Sequence, residues 1–321
     1  MTSTGTDDTI LTVDHLSIAS MAGTTVLDAV SLQVRRGEVL ALIGASGSGK
    51  TTLALAALGH LRPGLVTTGG SVRLDGTDML KAPQAVLNRM RGQTASYIAQ
   101  SAAAAFNPRI RLGDQVIESA LLHRSQTPDR ARARAKELFS YISLPTPDRI
   151  GTRFPYQVSG GQLQRFMIAM GMQEEPLLLV CDEPTSALDV TTQVEVMRLL
   201  KQVIADNQTA ALFVSHDLAV VAQIATRIAV MRAGRIVEIG ETRQIIESPR
   251  EDYTRELIAA CQHLSLGALA QKPRPAPRRA RRRPSPWPAS MPAMARSPAA
   301  CLRSRRSTAS ISRSARARSS R

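Results

Sequence analysis

The stretch "EVLALIGASGSGKTTLALAA", residues 38–57, joins an apolar run to a glycine-rich turn and then to an alanine- and leucine-rich segment. A continuous apolar run of this length is typical of a buried strand in a parallel sheet. The positions of Gly44, Gly49, Lys50 and Thr51 match the pattern G-x-x-x-x-G-K-[ST] in full. Because this turn lies between a predicted strand and a predicted helix, we expect its backbone N–H groups to wrap phosphates.

The residues of this phosphate-binding loop, the P-loop, have separate predicted roles. Lys50 is expected to reach the β- and γ-phosphates of a nucleotide, and the Thr51 hydroxyl to hold Mg²⁺. A flexible glycine turn with a surface lysine is the alternative, and the strand–loop–helix context argues against it. The predicted nucleotide-binding residues are Gly44, Ala45, Ser46, Gly47, Ser48, Gly49, Lys50, Thr51 and Thr52.

Two further apolar runs end in residues that suit phosphate chemistry. "PLLLVCDEP" (176–184) places Asp182 and Glu183 directly after a predicted strand. Asp182 suits a magnesium ligand, and Glu183 suits a group that orients or deprotonates an attacking water. His216 ends the predicted strand "AALFVSH" (210–216), where it is placed to contact a γ-phosphate. A solvated loop for the two acids and a structural role for the histidine are the alternatives.

The pattern along the chain predicts an α/β fold. It is a P-loop NTPase core with a parallel sheet, an N-terminal antiparallel β subdomain and an inserted helical subdomain over about 112–173. The antiparallel part comes from the alternating segments 10–18 and 26–34. A hairpin is expected to turn at Ala233-Gly234, and Asp189 is the expected N-cap of a helix.

Six motifs occur in the order found in the nucleotide-binding subunits of ATP-binding cassette (ABC) transporters, which the chain resembles over roughly residues 10–260. They are "GASGSGKTT", Gln100, "VSGGQ", "LLLVCDEP", "SALD" and "SHD". In that family two subunits meet head to tail, and each signature turn closes on the ATP held by the other subunit's P-loop. The resemblance therefore explains why a second Ser-Gly-Gly turn follows the P-loop by more than a hundred residues.

The resemblance implies a role for each matching residue. The signature that contacts the partner's ATP is Ser159, Gly160, Gly161 and Gln162, and the D-loop runs from Ser186 to Asp189. The implied catalytic residues are Glu183, His216 and Gln100, the last in the glutamine loop. The implied Mg²⁺ ligands are Thr51, Gln100 and Asp182, and the implied cofactors are ATP and Mg²⁺.

Two segments resemble the branch of oligopeptide, dipeptide and nickel importers. They are "SAAAAFNPRIRLGDQV" (101–116) and "EDYTRELIAA" (251–260), in which Asp252 takes the place of the branch's proline. The implied function is the ATP-hydrolysing subunit of a bacterial importer, for peptides in the leading interpretation and for nickel or a metallophore in the alternative. The implied partners are a second ATPase subunit, two integral-membrane permease subunits and an extracytoplasmic substrate-binding protein.

The chain departs from the branch in two respects. The family stacks adenine on an aromatic residue in its first loop, whereas the corresponding place near Ser20 and Met21 has none, and Met21 could supply an apolar face. Members of the branch often carry a C-terminal cysteine cluster for an iron–sulfur centre. Cys261 and Cys301 cannot make one, so no cluster is expected, and Cys181 is expected to be a buried core residue.

The basic charge of the chain is confined to its C-terminal region. The net charge is +15, but residues 272–321 hold 15 basic and no acidic residues, which leaves 26 of each in residues 1–271. We therefore predict an ATPase domain over 10–262 and a low-complexity tail over 263–321, which is either disordered or the product of a reading-frame slip. A basic tail that contacts nucleic acid or ribosomes in a soluble ABC protein is the competing interpretation, and half of a longer two-cassette chain is a third.

The sequence also predicts where the protein works. No apolar run approaches the roughly 18 residues of a membrane span, and the start "MTSTGTDDTI" lacks the basic and apolar regions of a secretory signal. With the family resemblance, this favours a peripheral protein on the cytoplasmic face of the inner membrane, with no nucleic-acid partner.

Overall fold

The fold is built on two sheets, seen in a computed structural model that describes residues 8–186 and 188–260. The predictions for Cys261, Cys301 and the basic tail lie outside these residues. The strands are Thr9–Ser20 (β1), Thr25–Arg35 (β2), Val39–Ile43 (β3), Leu65–Leu74 (β4), Thr77–Asp78 (β5), Ala95–Ile98 (β6), Leu178–Asp182 (β7), Ala210–Val214 (β8), Arg227–Arg232 (β9) and Arg235–Glu241 (β10).

Helices cover the sheets and fill the segment between β6 and β7. They are Lys50–Ala57 (α1), Gln84–Gln93 (α2), Ala102–Ala105 (α3), Leu112–Val116 (α4), Glu118–Leu122 (α5), Pro128–Tyr141 (α6), Pro147–Ile150 (α7), Gly160–Met172 (α8), Val190–Asn207 (α9), Leu218–Ile224 (α10) and Thr242–Glu247 (α11). A 3₁₀ turn covers Pro155–Gln157, and residues 252–260 are helical. Among all these described helices, none is both long enough and apolar enough to cross a bilayer.

The larger sheet has the strand order β10-β9-β3-β8-β7-β6. Its strands from β9 to β6 pair in parallel, and β10 adds an antiparallel edge through the hairpin at Ala233-Gly234. Both turn residues have positive φ, as a two-residue hairpin turn requires. The smaller sheet, β2-β1-β4-β5, is antiparallel throughout. The predicted fold class is confirmed.

The apolar runs of the sequence form the central strands of the larger sheet, which are buried on both faces. Every residue of β3, β7 and β8 is buried. Alternate β3 side chains enter two different cores, with Val39, Ala41 and Ile43 in one and Leu40 and Leu42 in the other. A strand covered on both faces needs apolar residues at every position, which is the pattern that the sequence shows.

Two local details differ from the sequence pattern. The sequence "GSVRLDG" (70–76) is typical of a short strand, whereas β4 begins at Leu65, because its first residues pair with the end of β1 around Ser20. The segment "LGDQVIESALLH" has helical spacing throughout but forms two short helices, α4 and α5, that join at Ile117.

The parallel strands bring the predicted motifs to one edge. The P-loop follows β3, Gln100 follows β6, Asp182 ends β7, and His216 follows β8. The carboxyl ends of parallel strands share one edge of a sheet, so four segments that are far apart in sequence converge there.

Candidate nucleotide-binding site

Close packing requires glycine at two positions of the P-loop. Gly44 has φ +149°, and a Cβ there would lie 2.2 Å from the carbonyl oxygen of Met231. Gly49 has φ +100°, and a Cβ there would lie 2.6 Å from Cδ2 of Leu27. Any larger residue would push the loop away from the β2 and β9 segments that support it, so these positions require glycine.

The N-terminus of α1 is built to face an anion. Its N-cap is Gly49, which makes no side-chain capping bond, and the first turn contains no acidic residue. The N–H groups of a first helical turn need acceptors from outside the helix, and the helix dipole favours a negative one. The start of α1 is therefore suited to an anion, which is what the motif predicts.

The Lys50 ammonium group bonds to the loop that carries it. Its Nζ donates to the carbonyl oxygens of Gly44 and Ala45, both at 2.9 Å, and to Oγ of Ser48 at 3.4 Å. Burial lowers the pKa of Lys50, while the nearby carboxylates of Glu183 and Asp182 oppose this shift. The charge is thus held at the base of the loop, facing the two acids.

Asp182 receives one hydrogen bond on each carboxylate oxygen. The Thr51 hydroxyl donates to Oδ1 at 3.2 Å, and the Tyr97 hydroxyl donates to Oδ2 at 3.1 Å. Burial raises the pKa of Asp182, and these two hydrogen bonds oppose the rise. Burial and the adjacent Asp182 also raise the pKa of Tyr97 above its usual value, so its hydroxyl remains a donor. Sequence reasoning missed Tyr97.

Glu183 also has both oxygens engaged. Gln100 Nε2 donates to Oε2 at 3.0 Å, and His216 Nδ1 lies 3.0 Å from Oε1. Glu183 itself has φ +48°, a left-handed conformation that is costly for a residue with a Cβ. Its backbone N–H donates to the carbonyl oxygen of Val214 in β8, which helps to hold this conformation. The three predicted catalytic residues therefore form one hydrogen-bonded group.

An open cleft of about 780 Å³ joins these groups. It is lined by the predicted P-loop residues other than Ala45 and by Gln100, Glu183 and His216. Arg62 and Val26, which sequence reasoning missed, also line it. Met21, the expected apolar face for adenine, is 78% exposed and is not among the lining residues that the structure describes. In the described chain, Val26 is instead the apolar side chain on this wall.

The signature turn forms the start of α8. Ser159 Oγ accepts from the N–H of Gln162 at 3.3 Å, and Gln162 Oε1 accepts from the N–H of Ser159 at 3.1 Å, which is a capping box. Ser159 and Gly160 are exposed, and the N–H groups of the two glycines lie in the first turn of the helix.

The signature turn packs against the segment that follows the D-loop. A Cβ on Gly161 would lie 2.3 Å from Cγ2 of Thr192, and Thr192 is bonded to Asp189, the N-cap of α9. Within residues 8–186 and 188–260, none of Ser159 to Gln162 lines the P-loop cleft. The structure thus separates the predicted residues into two groups, one around the P-loop and one around the starts of α8 and α9.

Comparison with known proteins identifies the family of the chain. The pattern of the family described as "ABC transporter" matches residues 27–186. The "Probable D,D-dipeptide transport ATP-binding protein DdpD" of Escherichia coli is 40% identical over 246 residues, which is 76% of this chain and 75% of that protein. The chain belongs to the ABC transporter family. An "Oligopeptide transport ATP-binding protein OppD" of Lactococcus lactis subsp. cremoris is 36% identical over 229 residues, 71% of this chain and 68% of that protein.

The fold comparison gives the same family. A solved dimeric ATP-binding cassette in a post-hydrolysis state, bound to ADP and Pi, matches with a TM-score of 0.63 and 25% identity, covering 73% of this chain and 99% of that one. The predictions of the family, of the fold class and of an ABC-type ATPase are therefore confirmed. The roles of the individual site residues remain predictions.

The residues near Asp182 suit Mg²⁺ in their chemistry. Thr51 and Asp182 offer a hydroxyl and a carboxylate, the oxygen ligands that Mg²⁺ prefers. Asp182 is buried and its pKa is raised by that burial, so a cation beside it would offset the cost of its charge. Cys181 does not compete for such an ion, since it is buried in the core and burial raises the pKa of its thiol.

Proposed function

We propose that the cleft binds and hydrolyses MgATP, with the P-loop as its phosphate cradle. The observation that carries this is the convergence of Lys50, Glu183, Gln100 and His216 on one cleft at the carboxyl edge of the sheet. Asp182 lies directly behind it, bonded to the lining residue Thr51. The loop amides and α1 bind the β- and γ-phosphates, and Lys50 exchanges its bonds to loop carbonyls for phosphate oxygens.

Thr51 and Asp182 would hold Mg²⁺, joined by the side chain of Gln100, which also lines the cleft. Such an ion supplies neutralisation of charge on the phosphates. Tyr97 fixes Asp182 through Oδ2 and leaves Oδ1 on the Thr51 side. Arg62 adds a second positive side chain to the cleft wall.

Glu183 is the group that accepts a proton from the attacking water. Both its oxygens are bonded in this structure, to Gln100 and to His216. Each oxygen retains a second lone pair that can accept a hydrogen bond from water. Gln100 and His216 lie on separate elements, after β6 and β8, so movement of either element exposes the base.

The signature turn serves a second copy or a paralogue of this chain. Its exposed Ser159 and Gly160 lie outside the chain's own cleft, yet their backbone and hydroxyl suit an anion. A head-to-tail dimer would bring each turn to the partner's γ-phosphate, and the D-loop from Ser186 to Asp189 to the same interface. The dimeric state of the matched cassette supports this arrangement.

The dimer then powers a bacterial importer of peptides. The relatives named as D,D-dipeptide and oligopeptide transport ATP-binding proteins support this cargo class. In this proposal the chain is peripheral on the cytoplasmic face of the inner membrane, bound to two permease subunits and supplied by an extracytoplasmic substrate-binding protein. No nucleic-acid partner is proposed, because the relatives are transport subunits.

Replacement of Lys50 tests the site. In the purified full-length chain, Lys50→Ala is expected to lower ATPase activity at least about tenfold, since it removes a charge that stabilises the transferring phosphoryl group. Lys201→Ala is the matched control, because Lys201 is an exposed lysine on α9 that donates to the carbonyl of Gln223. Equal activity of Lys50→Ala and the control would contradict the P-loop assignment.

Reconstitution tests the cargo. The complex of this ATPase, its permease subunits and the substrate-binding protein is placed in liposomes, and ATP hydrolysis is measured with dipeptides, oligopeptides or Ni²⁺ outside. Stimulation by peptides supports the proposal, and stimulation by Ni²⁺ alone contradicts it.

A chain ending at Gln271 tests the tail, and the loss of salt-sensitive nucleic-acid binding on truncation would favour the competing nucleic-acid function.

A further inference from the structure

The P-loop contacts a segment far away in the sequence. The backbone N–H of Ala45 donates to the hydroxyl oxygen of Tyr253 at 3.3 Å, a pair separated by 208 positions. Tyr253 belongs to "EDYTRELIAA" (251–260), a motif that sequence reasoning treated only as a mark of the importer branch. This motif therefore reaches the first turn of the phosphate cradle.

The Tyr253 ring is held by the hairpin that also supports the P-loop. The guanidinium carbon of Arg232, at the end of β9, lies 4.7 Å from the centroid of the ring, within cation–π range. Two residues further on, the N–H of Gly234 donates to the carbonyl oxygen of Ser48 in the P-loop at 3.1 Å. The P-loop is thus contacted at two positions, at Ala45 by Tyr253 and at Ser48 by the β9–β10 hairpin.

A buried carboxylate fixes the chain just before Tyr253. Glu238, in β10, is buried and accepts from the N–H groups of Arg250 at 3.0 Å and Glu251 at 3.1 Å. Gln244 Nε2 donates to the same carboxylate at 3.0 Å. Residues 249–255, which we call the strap, are therefore anchored two residues away from the Tyr253 side chain.

The residue in the branch's proline position suits the start of the strap helix. Asp252 is the first helical residue and pairs with Arg255 one turn later. A negative charge in a first helical turn is favourable, as is a proline there. The strap therefore keeps its helical start, and Tyr253 keeps its place, without the proline.

We propose that Tyr253 is a positioning residue for ATP, which acts through the Ala45 N–H on the backbone of the P-loop. This inference rests on the proposed function, since it concerns the same cleft. A loop whose N–H groups already point at the phosphates loses less conformational entropy when it binds them. The hydroxyl fixes Ala45, whereas the ring and Arg232 hold the strap, so the two roles are separable by substitution.

The test compares Tyr253→Phe with the wild-type full-length chain. The phenylalanine keeps the ring over Arg232 and loses the acceptor for the Ala45 N–H. The expected result is a KM for ATP raised about two- to tenfold with kcat nearly unchanged, as expected for a neutral hydrogen bond that acts on substrate and transition state alike. The Ala45 amide should exchange with deuterium faster, and the melting temperature should stay within about 2 °C.

Tyr141→Phe is the matched control, because the Tyr141 hydroxyl also takes part in a hydrogen bond, as the donor to Asp206 on α9. It should change neither the KM for ATP nor the exchange of Ala45. The inference is overturned if Tyr253→Phe matches wild type in both measurements, or if it only lowers the melting temperature. Lys50-dependent ATP binding in the same preparation would then leave the proposed function intact, whereas a wild-type chain that binds no MgATP would overturn both.

Discussion

The ring Nδ1 of His216 lies 3.0 Å from Oε1 of Glu183, which makes the histidine that follows β8 a direct partner of the acid that follows β7. The side chain of His216 is 65% exposed, whereas that of Glu183 is 23% exposed. The histidine is therefore the member of the pair that is open to solvent, and the acid is the member that the protein encloses.

Replacement of Glu183 by glutamine tests its role as the base. Glu183→Gln keeps the size of the side chain and an acceptor for one partner, but it cannot take a proton from water. We expect ATP to bind with near wild-type affinity and hydrolysis to slow by about 100-fold or more. Glu247→Gln, which changes an exposed acid of α11, is the control. Turnover of Glu183→Gln close to that of the control would show that another group activates water.

Tyr97→Phe tests whether the orientation of Asp182 matters. The substitution keeps the ring and removes the donor to Oδ2, so Asp182 loses the contact that fixes its carboxylate. Groups that orient a metal ligand typically change metal affinity tenfold or more when they are removed. We expect the Mg²⁺ concentration for half-maximal ATPase activity to rise about tenfold. An unchanged Mg²⁺ titration would mean that Thr51 alone positions Asp182.

The contrast between Tyr97 and the P-loop shows what the sequence could predict. The strand, the glycines and Lys50 were predictable because their pattern is local, and Gly44 and Gly49 each meet a neighbour that only a missing Cβ avoids. Tyr97 was not predictable, because its partner lies 85 positions away and depends on the parallel register of β6 with β7. The same applies to Tyr253, which meets Ala45 only through the packing of the strap.

Glu238→Gln tests whether the charge of Glu238 stabilises the strap. The variant should lose the part of the stability that depends on the protonation of this carboxylate. Burial raises the pKa of Glu238, but hydrogen bonds from Arg250, Gln244 and Glu251 outweigh it, so the pKa is lowered overall. A lowered pKa means that the carboxylate stabilises the folded chain at pH values above the pKa of glutamate in the unfolded chain, and that this stabilisation is lost as the pH falls through the lower, folded pKa. At about pH 7 the variant should melt about 3–6 °C below wild type.

The pH dependence of the melting temperature distinguishes a contribution from the charge of Glu238 from a contribution of its packing. The difference in melting temperature between wild type and Glu238→Gln should shrink between about pH 5 and pH 3, since a protonated carboxyl resembles the amide. Differential scanning fluorimetry across this range measures it. A difference that stays constant down to about pH 3 would mean that the charge of Glu238 does not hold the strap.

Ser159→Arg on the Glu183→Gln background tests the shared site. Glu183→Gln with MgATP should form a stable dimer, either of this chain or with its paralogue, because two signature turns clamp two uncleaved nucleotides. Arginine at position 159 places bulk and positive charge where the partner's γ-phosphate must lie, so the dimer should be lost. ATP binding to the chain's own P-loop should remain, because the described signature residues do not line that cleft.

Light scattering gives the mass of the complex, and a fluorescent ATP analogue gives binding by the single subunit. Ser140→Arg, on the exposed surface of α6, adds the same charge and size away from the turn and should leave the dimer intact. Loss of the Ser159 cap alone costs about 1 kcal/mol, which is too little to unfold a domain of this size. If Ser159→Arg instead removes ATP binding by the isolated subunit, the turn serves its own nucleotide, and the head-to-tail arrangement is wrong.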